Sequence, residues 1–214
     1  MRRWRCPTTF RNFESNVPHP HTLITRPFHD RRLTLIFEKQ LDRWSHCIGW
    51  NDEGAKDLST ASIWLRSVEG NPDHNWPPSP ALQEVSFHEM TAGAAVLAVG
   101  MAGKSHWSAS FSVEPDQSIL ADLACLLRST SAAENPQLCS SYQLDRAEVA
   151  EHHHDRVVIE SDRGARLSLE WEPQQLQSHV SETAAGAQTL LLIPSHIESA
   201  SGKPTRWKYR WRML

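Results

Sequence analysis

The chain's 214 residues carry 22 Lys and Arg against 25 Asp and Glu, a formal charge of −3, and this near-balance excludes the strongly basic or acidic class that binds nucleic acid or membrane surfaces over its whole length. The length suits one domain able to bury a core without disulfides. No apolar run approaches the ~18 residues that a membrane-spanning helix needs.

The near-balance conceals an asymmetry: residues 1–32 hold seven Arg against Glu14 and Asp30, leaving 15 basic and 23 acidic residues in the remainder. Residues 1–30 mix Arg, Pro, Asn and Thr without a sustained hydrophobic period and read as a basic, partly mobile leader; residues 31–214 read as one domain. The leader lacks the continuous apolar stretch of a secretory signal, which points to a cytoplasmic protein. In that compartment Cys6, Cys47, Cys125 and Cys139, far apart and without a CxxC pair, are expected to be free thiols.

From Leu33 the pattern has period two. Leu33, Leu35 and Phe37 share one face, and Trp44, His46, Ile48 and Trp50 share one face of the next segment, which makes two strands around a turn at Gln40 to Asp42. Ser62 to Val68 is a third strand. Gly70 to Pro80, with four prolines, cannot join a ladder and is a surface loop or crossover between sheets. Gln83 to Met90 alternates again and leads into Ala94 to Val113, an apolar arm, two glycines and an alternating arm, read as the central hairpin of the core. Its Ala94 to Val99 arm is expected to be covered on both faces. Ile119 to Leu127 fits a strand or a helix, and the turn EPDQ just before it favours a hairpin return.

Leu138 to Leu144 is a strand, Asp145 to Asp155 a helical turn or exposed loop, and Arg156 to Ser161 with Ala165 to Trp171 a hairpin about Asp162 to Gly164. Pro173 to Ala185 is polar with a short helix, Thr189 to Ile193 a buried strand. The last element alternates completely, Trp207, Tyr209 and Trp211 on one face against Arg206, Lys208, Arg210 and Arg212 on the other. Around a dozen short strands without long amphipathic segments between them specify an all-β fold, an antiparallel β-sandwich or barrel with at most short helices.

Four constellations could carry chemistry. Ala98 to Ser105 (AVGMAGKS) satisfies a relaxed phosphate-loop pattern, but that loop needs a helix after it, and the segment from His106 to Val113 has a strand's period; the first glycine of the pattern is also missing. Glu151 to Asp155 (EHHHD) suits a transition metal, with His152 and His154 as ligands on one side of a strand. The basic C-terminal face could track a phosphate backbone, yet its aromatics lie on the opposite face, and carboxylates such as Glu160 or Glu170 are at hand to pair with it. Last, Lys104 stands beside the outward row that begins with His106 and Ser108, and Trp76 stands in the proline loop; these four are the candidate ligand-binding residues.

No motif for nucleophilic catalysis is present, and no cofactor is implied. No motif fixes a reaction or a substrate, and the leading expectation is a binding or interaction protein for a small molecule or a protein partner. A metal-dependent enzyme using His152 and His154 is the alternative, and a nucleic-acid binder using the leader and last strand comes third.

Overall fold

Period-two patterning becomes fifteen strands in the computed structural model, which describes residues 22–52, 62–90, 93–128, 136–183, 186–198 and 202–214. In chain order they are β1 Thr22–Ile24, β2 Arg31–Gln40, β3 Arg43–Asp52, β4 Ser62–Ser67, β5 Glu84–Met90, β6 Gly93–Ala102, β7 Ser105–Val113 and β8 Ile119–Leu126. There follow β9 Ser140–Leu144, β10 Ala147–His152, β11 Arg156–Ser161, β12 Arg166–Trp171, β13 Leu176–Glu182, β14 Gln188–Pro194 and β15 Thr205–Met213. Among the described residues there is no helix, and so none long and apolar enough to cross a membrane.

The strands form two antiparallel sheets packed as a sandwich, ordered β1-β2-β3-β4-β9-β14-β13 and β10-β11-β12-β15-β8-β7-β6-β5. Each sheet is two locally connected pieces joined by one inserted strand. In the first, β9 links the β1–β4 meander to the β13–β14 hairpin; in the second, β15 links the β10–β12 meander to the β5–β8 meander. Non-local pairing of this kind needs more than backbone bonds to fix it, and β9 and β15 supply it to each other. Tyr142 shares a 2.7 Å hydroxyl hydrogen bond with Tyr209, and Trp207 Nε1 donates to Ser140 Oγ at 3.1 Å. Both bonds cross the core between buried residues, where a satisfied polar group specifies register because the unpaired alternative costs ~1–3 kcal/mol. Around them pack Phe111, Trp211, Tyr209 and Tyr142, with ring centroids 5.2–6.3 Å apart.

Alternation reports burial well in the inner strands. Leu33, Leu35 and Phe37, then Ile119, Ala121, Leu123 and Cys125, then Trp207, Tyr209 and Trp211 all point into the core. The ambiguity between helix and strand at Ile119 to Leu127 thus resolves as a strand, β8, whose buried and half-buried residues alternate without a break.

Four expectations need correction. Asp145 to Asp155 is not a helical turn or loop but contains β10, whose period is broken by a register shift between Val149 and Glu151. Pro173 to Ala185 contains β13 in place of a short helix. The Ala94 to Val99 arm is covered on one face only: Ala95, Val96 and Ala98 are buried, while Leu97 and Val99 are 46% and 49% exposed. Thr22–Ile24, placed in the leader, pair with Ile36–Thr34 as the edge strand β1; residues 1–21 lie outside the described residues, as does Cys6. The other three cysteines are free.

Candidate functional site

β6 and β7 pair from Ala95↔Ser112 to Ala102↔Ser105, so two residues, Gly103 and Lys104, close the hairpin. Gly103 has φ 56° whereas Lys104 keeps an ordinary negative φ, the arrangement of a type II′ turn with glycine first. An added Cβ at Gly103 would lie 2.6 Å from Asn75 Oδ1. The phosphate-loop reading ends here: the lysine and serine of AVGMAGKS belong to a hairpin turn and a strand.

The turn is met by the proline loop, which leaves β4 in one sheet and enters β5 in the other. Its root is held by Arg43, itself 2% exposed, whose guanidinium donates to Glu69 O at 3.3 Å and Pro72 O at 2.9 Å. Its far end is stitched to both sheets: Trp44 N donates to Leu82 O at 2.6 Å, Gln83 N to Val99 O at 2.8 Å, and Ser79 Oγ to Ser141 O at 3.0 Å. β6 passes so close beneath that a Cβ at Gly100 would fall 1.9 Å from Ala81 O. Prolines that cannot join a ladder are thereby a fixed strap carrying Asn75 and Trp76 to the turn.

Between strap and turn lies a pocket of about 240 Å³ lined by Asn75, Trp76, Gly103, Lys104, Ser105 and Arg128, together with Ala102. Two of the four candidate ligand residues, Trp76 and Lys104, are thus brought together. Arg128 is the residue that the sequence pattern does not single out, yet hairpin symmetry finds it. β7 pairs with β8 from Val113↔Ile119 to His106↔Leu126, and the same register carried two residues further sets Lys104 opposite Arg128. Neither cation has an ion pair among the described residues, and none of the described residues lining the pocket is acidic.

His106 and Ser108 line a different, neighbouring hollow. Two shallow depressions of about 500 and 450 Å³ on the outer face of β6–β8 share Val99, Ser108, Ala124 and Pro204, and His106 borders the larger. Leu97, Val99 and Met101, at alternate positions of β6, stand open along it. The row of His106, Ser108 and Ser110 faces outward as its period predicts.

The histidine tract is arranged less compactly than its sequence. His152 ends β10 and its Nε2 shares a 2.7 Å hydrogen bond with Ser178 Oγ, while exposed His154 lies beyond the strand with Nδ1 3.9 Å from Asp155 Oδ1. Glu151 accepts from Arg166 at 2.5 Å and from Arg156 at 3.4 Å; Arg166 first and His153 next hold its carboxyl below the usual range. Among the described residues no three His, Cys, Asp or Glu side chains are grouped as a metal site would require.

The basic face of β15 is also engaged, though by other carboxylates than Glu160. Arg206 and Lys208 each approach Asp122 Oδ2 at 2.9 Å, Arg212 reaches Asp116 Oδ2 at 2.7 Å and Arg210 the same atom at 3.6 Å. Glu170 lies 4.0 Å from Arg212, and Glu160 is next to Arg166. The reason is register: Asp122 faces Lys208 directly across β8 and β15.

Further perturbed acids and bases lie in and around the core. His46, 1% exposed, shares a 2.8 Å hydrogen bond through Nε2 with Tyr142, and burial holds its pKa down at about 3. Glu69 is pushed up to about 7 by burial, against the opposing effects of a 2.5 Å hydrogen bond from Ser67 and the charge of Arg43. Burial likewise pushes the Cys47 and Cys125 thiols up to about 12 and Cys139 to about 11, so none is a ready nucleophile at neutral pH.

Comparison with known proteins adds little to this geometry. No family model matches the chain, and no curated protein matches it. Among solved structures, a heparinase III gene product aligns over 90% of this chain and 36% of its own, with 9% identity and a TM-score of 0.47. The chain thus spans about a third of that protein, and a likeness of this order assigns neither family nor function.

Proposed function

We propose that the protein is a small-molecule binding protein whose ligand sits in the pocket between the proline strap and the β6–β7 turn. The observation that carries this is convergence: Trp76 and Lys104, far apart in sequence and each notable there, line one concave space with Arg128. A pocket of about 240 Å³ is smaller than the ~300–1,000 Å³ that holds drug-sized ligands, so the ligand is small. Trp76 offers a ring face for an apolar surface, while Lys104, Arg128, Asn75 and Ser105 offer polar groups that orient it. The strap is anchored at root and end by buried and part-buried hydrogen bonds, which holds the site in shape before the ligand arrives and lowers the ordering cost of binding.

The test is a thermal-shift and calorimetric screen of one-ring metabolite-like compounds against wild type and Trp76→Leu. Binding that is seen in wild type and lost in the variant, with the variant still folded, supports the reading. Hits unaffected by Trp76→Leu place the ligand elsewhere and overturn it.

A further inference from the structure

We infer that the pocket's ligand is a small organic oxyanion, a single ring or less bearing a carboxylate, sulfate or phosphate; this rests on the reading of the pocket as the binding site. The β7–β8 register, carried two residues past its last pair His106↔Leu126, sets Lys104 of the turn against Arg128 beyond the strand; both cations line one pocket, where like charges repel. On β15 the same sheet meets this problem with carboxylates: Asp122 serves Arg206 and Lys208, and Asp116 serves Arg210 and Arg212. At the β6–β7 turn no carboxylate among the described residues lines the space between the cations. An anion from solution completes the pattern there that Asp122 and Asp116 complete elsewhere.

The donors fit that class. Arg128 can present two parallel N–H groups to the two oxygens of a carboxylate, sulfate or phosphate, and Lys104 adds a movable point charge. Both side chains are exposed, as a recruited ligand requires, and Trp76 is partly buried against the core, which fixes its ring. A space of about 240 Å³ admits a ring or a short chain behind the charged head.

The experiment titrates phenyl phosphate, benzoate, inorganic phosphate and neutral benzamide into the full chain at low ionic strength, with Lys104→Gln and Arg128→Gln alongside. The expected result is that the two aromatic anions bind more tightly than benzamide and that each substitution weakens them about tenfold, the loss of one hydrogen bond to a charged group. Benzamide should not respond to either substitution. Each substitution should also raise the melting temperature of the unliganded protein by about 1–2 °C, because it removes a repulsion between two cations that the ligand offsets; a merely structural role for these side chains would lower it. Benzamide binding as well as benzoate, with both variants unchanged, overturns the anion and leaves the pocket reading standing. Inorganic phosphate binding as tightly as phenyl phosphate overturns the organic part. If no probe binds at about 10 mM, an affinity near the weakest measurable, the pocket reading falls and this inference with it.

Discussion

Two sets of cations on one sheet differ in a way their sequence contexts do not suggest. The four on β15 are close-set and alternate with aromatics, the pattern that invites a nucleic-acid reading, yet each lies within 3.6 Å of Asp122 or Asp116. Lys104 and Arg128 are isolated in the sequence, one in a turn and one after a strand, and among the described residues neither has a carboxylate. Paired charge at a surface contributes little, about 0–1 kcal/mol, and closes that surface; unpaired charge in a concave space is free to act on a ligand. The unpaired cations are therefore the better guide to function.

The most severe way to break the comparison is to remove the core on which both sets stand. His46 has a depressed folded pKa, about 3 against 6.5, so its contribution is present above pH 6.5 and is lost as pH falls toward 3, on the order of 5 kcal/mol in all. Glu69 has a raised folded pKa, about 7 against 4.5, so its contribution is present below pH 4.5 and is lost as pH rises through 7, on the order of 3 kcal/mol. Between pH 4.5 and 6.5 the two slopes oppose, and urea unfolding should give a nearly flat stability there with a steep fall below. Glu69→Gln should convert that flat region into a rise with pH; a variant as flat as wild type contradicts the account of both groups.

A more local break acts on the strap alone. Gly100→Ala drives a methyl into the Ala81 carbonyl and should cost about 3 kcal/mol, the upper range of overpacking, while lifting the strap from the turn. Chemical denaturation measures the cost, and loss of ligand binding with the ion pairs of β15 intact separates the two regions. Smallest is the effect on the paired set: Asp122→Asn should change stability by no more than about 1 kcal/mol, but it frees Arg206 and Lys208. Retention on a phosphocellulose column should rise, turning a closed basic face into an open one.

How far the sequence reaches is clearest at the sheet edges. The inner strands, with one face in the core, announce themselves by strict alternation, and the hairpins at Gly103–Lys104 and Asp162–Gly164 are marked by their glycines. The strands that do not announce themselves, β1, β10 and β13, are all edges. An edge strand carries polar residues as protection against pairing with other chains, and β10 adds a register shift that breaks its period. Exposure of Leu97 and Val99 is hidden for a related reason, since an apolar run does not say which of its faces is covered. As for the site, Lys104 and Trp76 stand out by residue type, but their meeting depends on where the strap crosses, a tertiary fact. Arg128 lies within reach of the sequence: a turn centred on Asp116 sets residue 104 against 128, and only the ambiguity between strand and helix for Ile119 to Leu127 hides that pairing.

The most direct measurement is an amide and indole NMR titration of the full chain with phenyl phosphate. Our account predicts shifts centred on Gly103, Lys104, Ser105, Arg128 and the Trp76 indole, with β15 unmoved. Shifts centred on Arg206 to Arg212, with the Gly103–Lys104 turn silent, would contradict it.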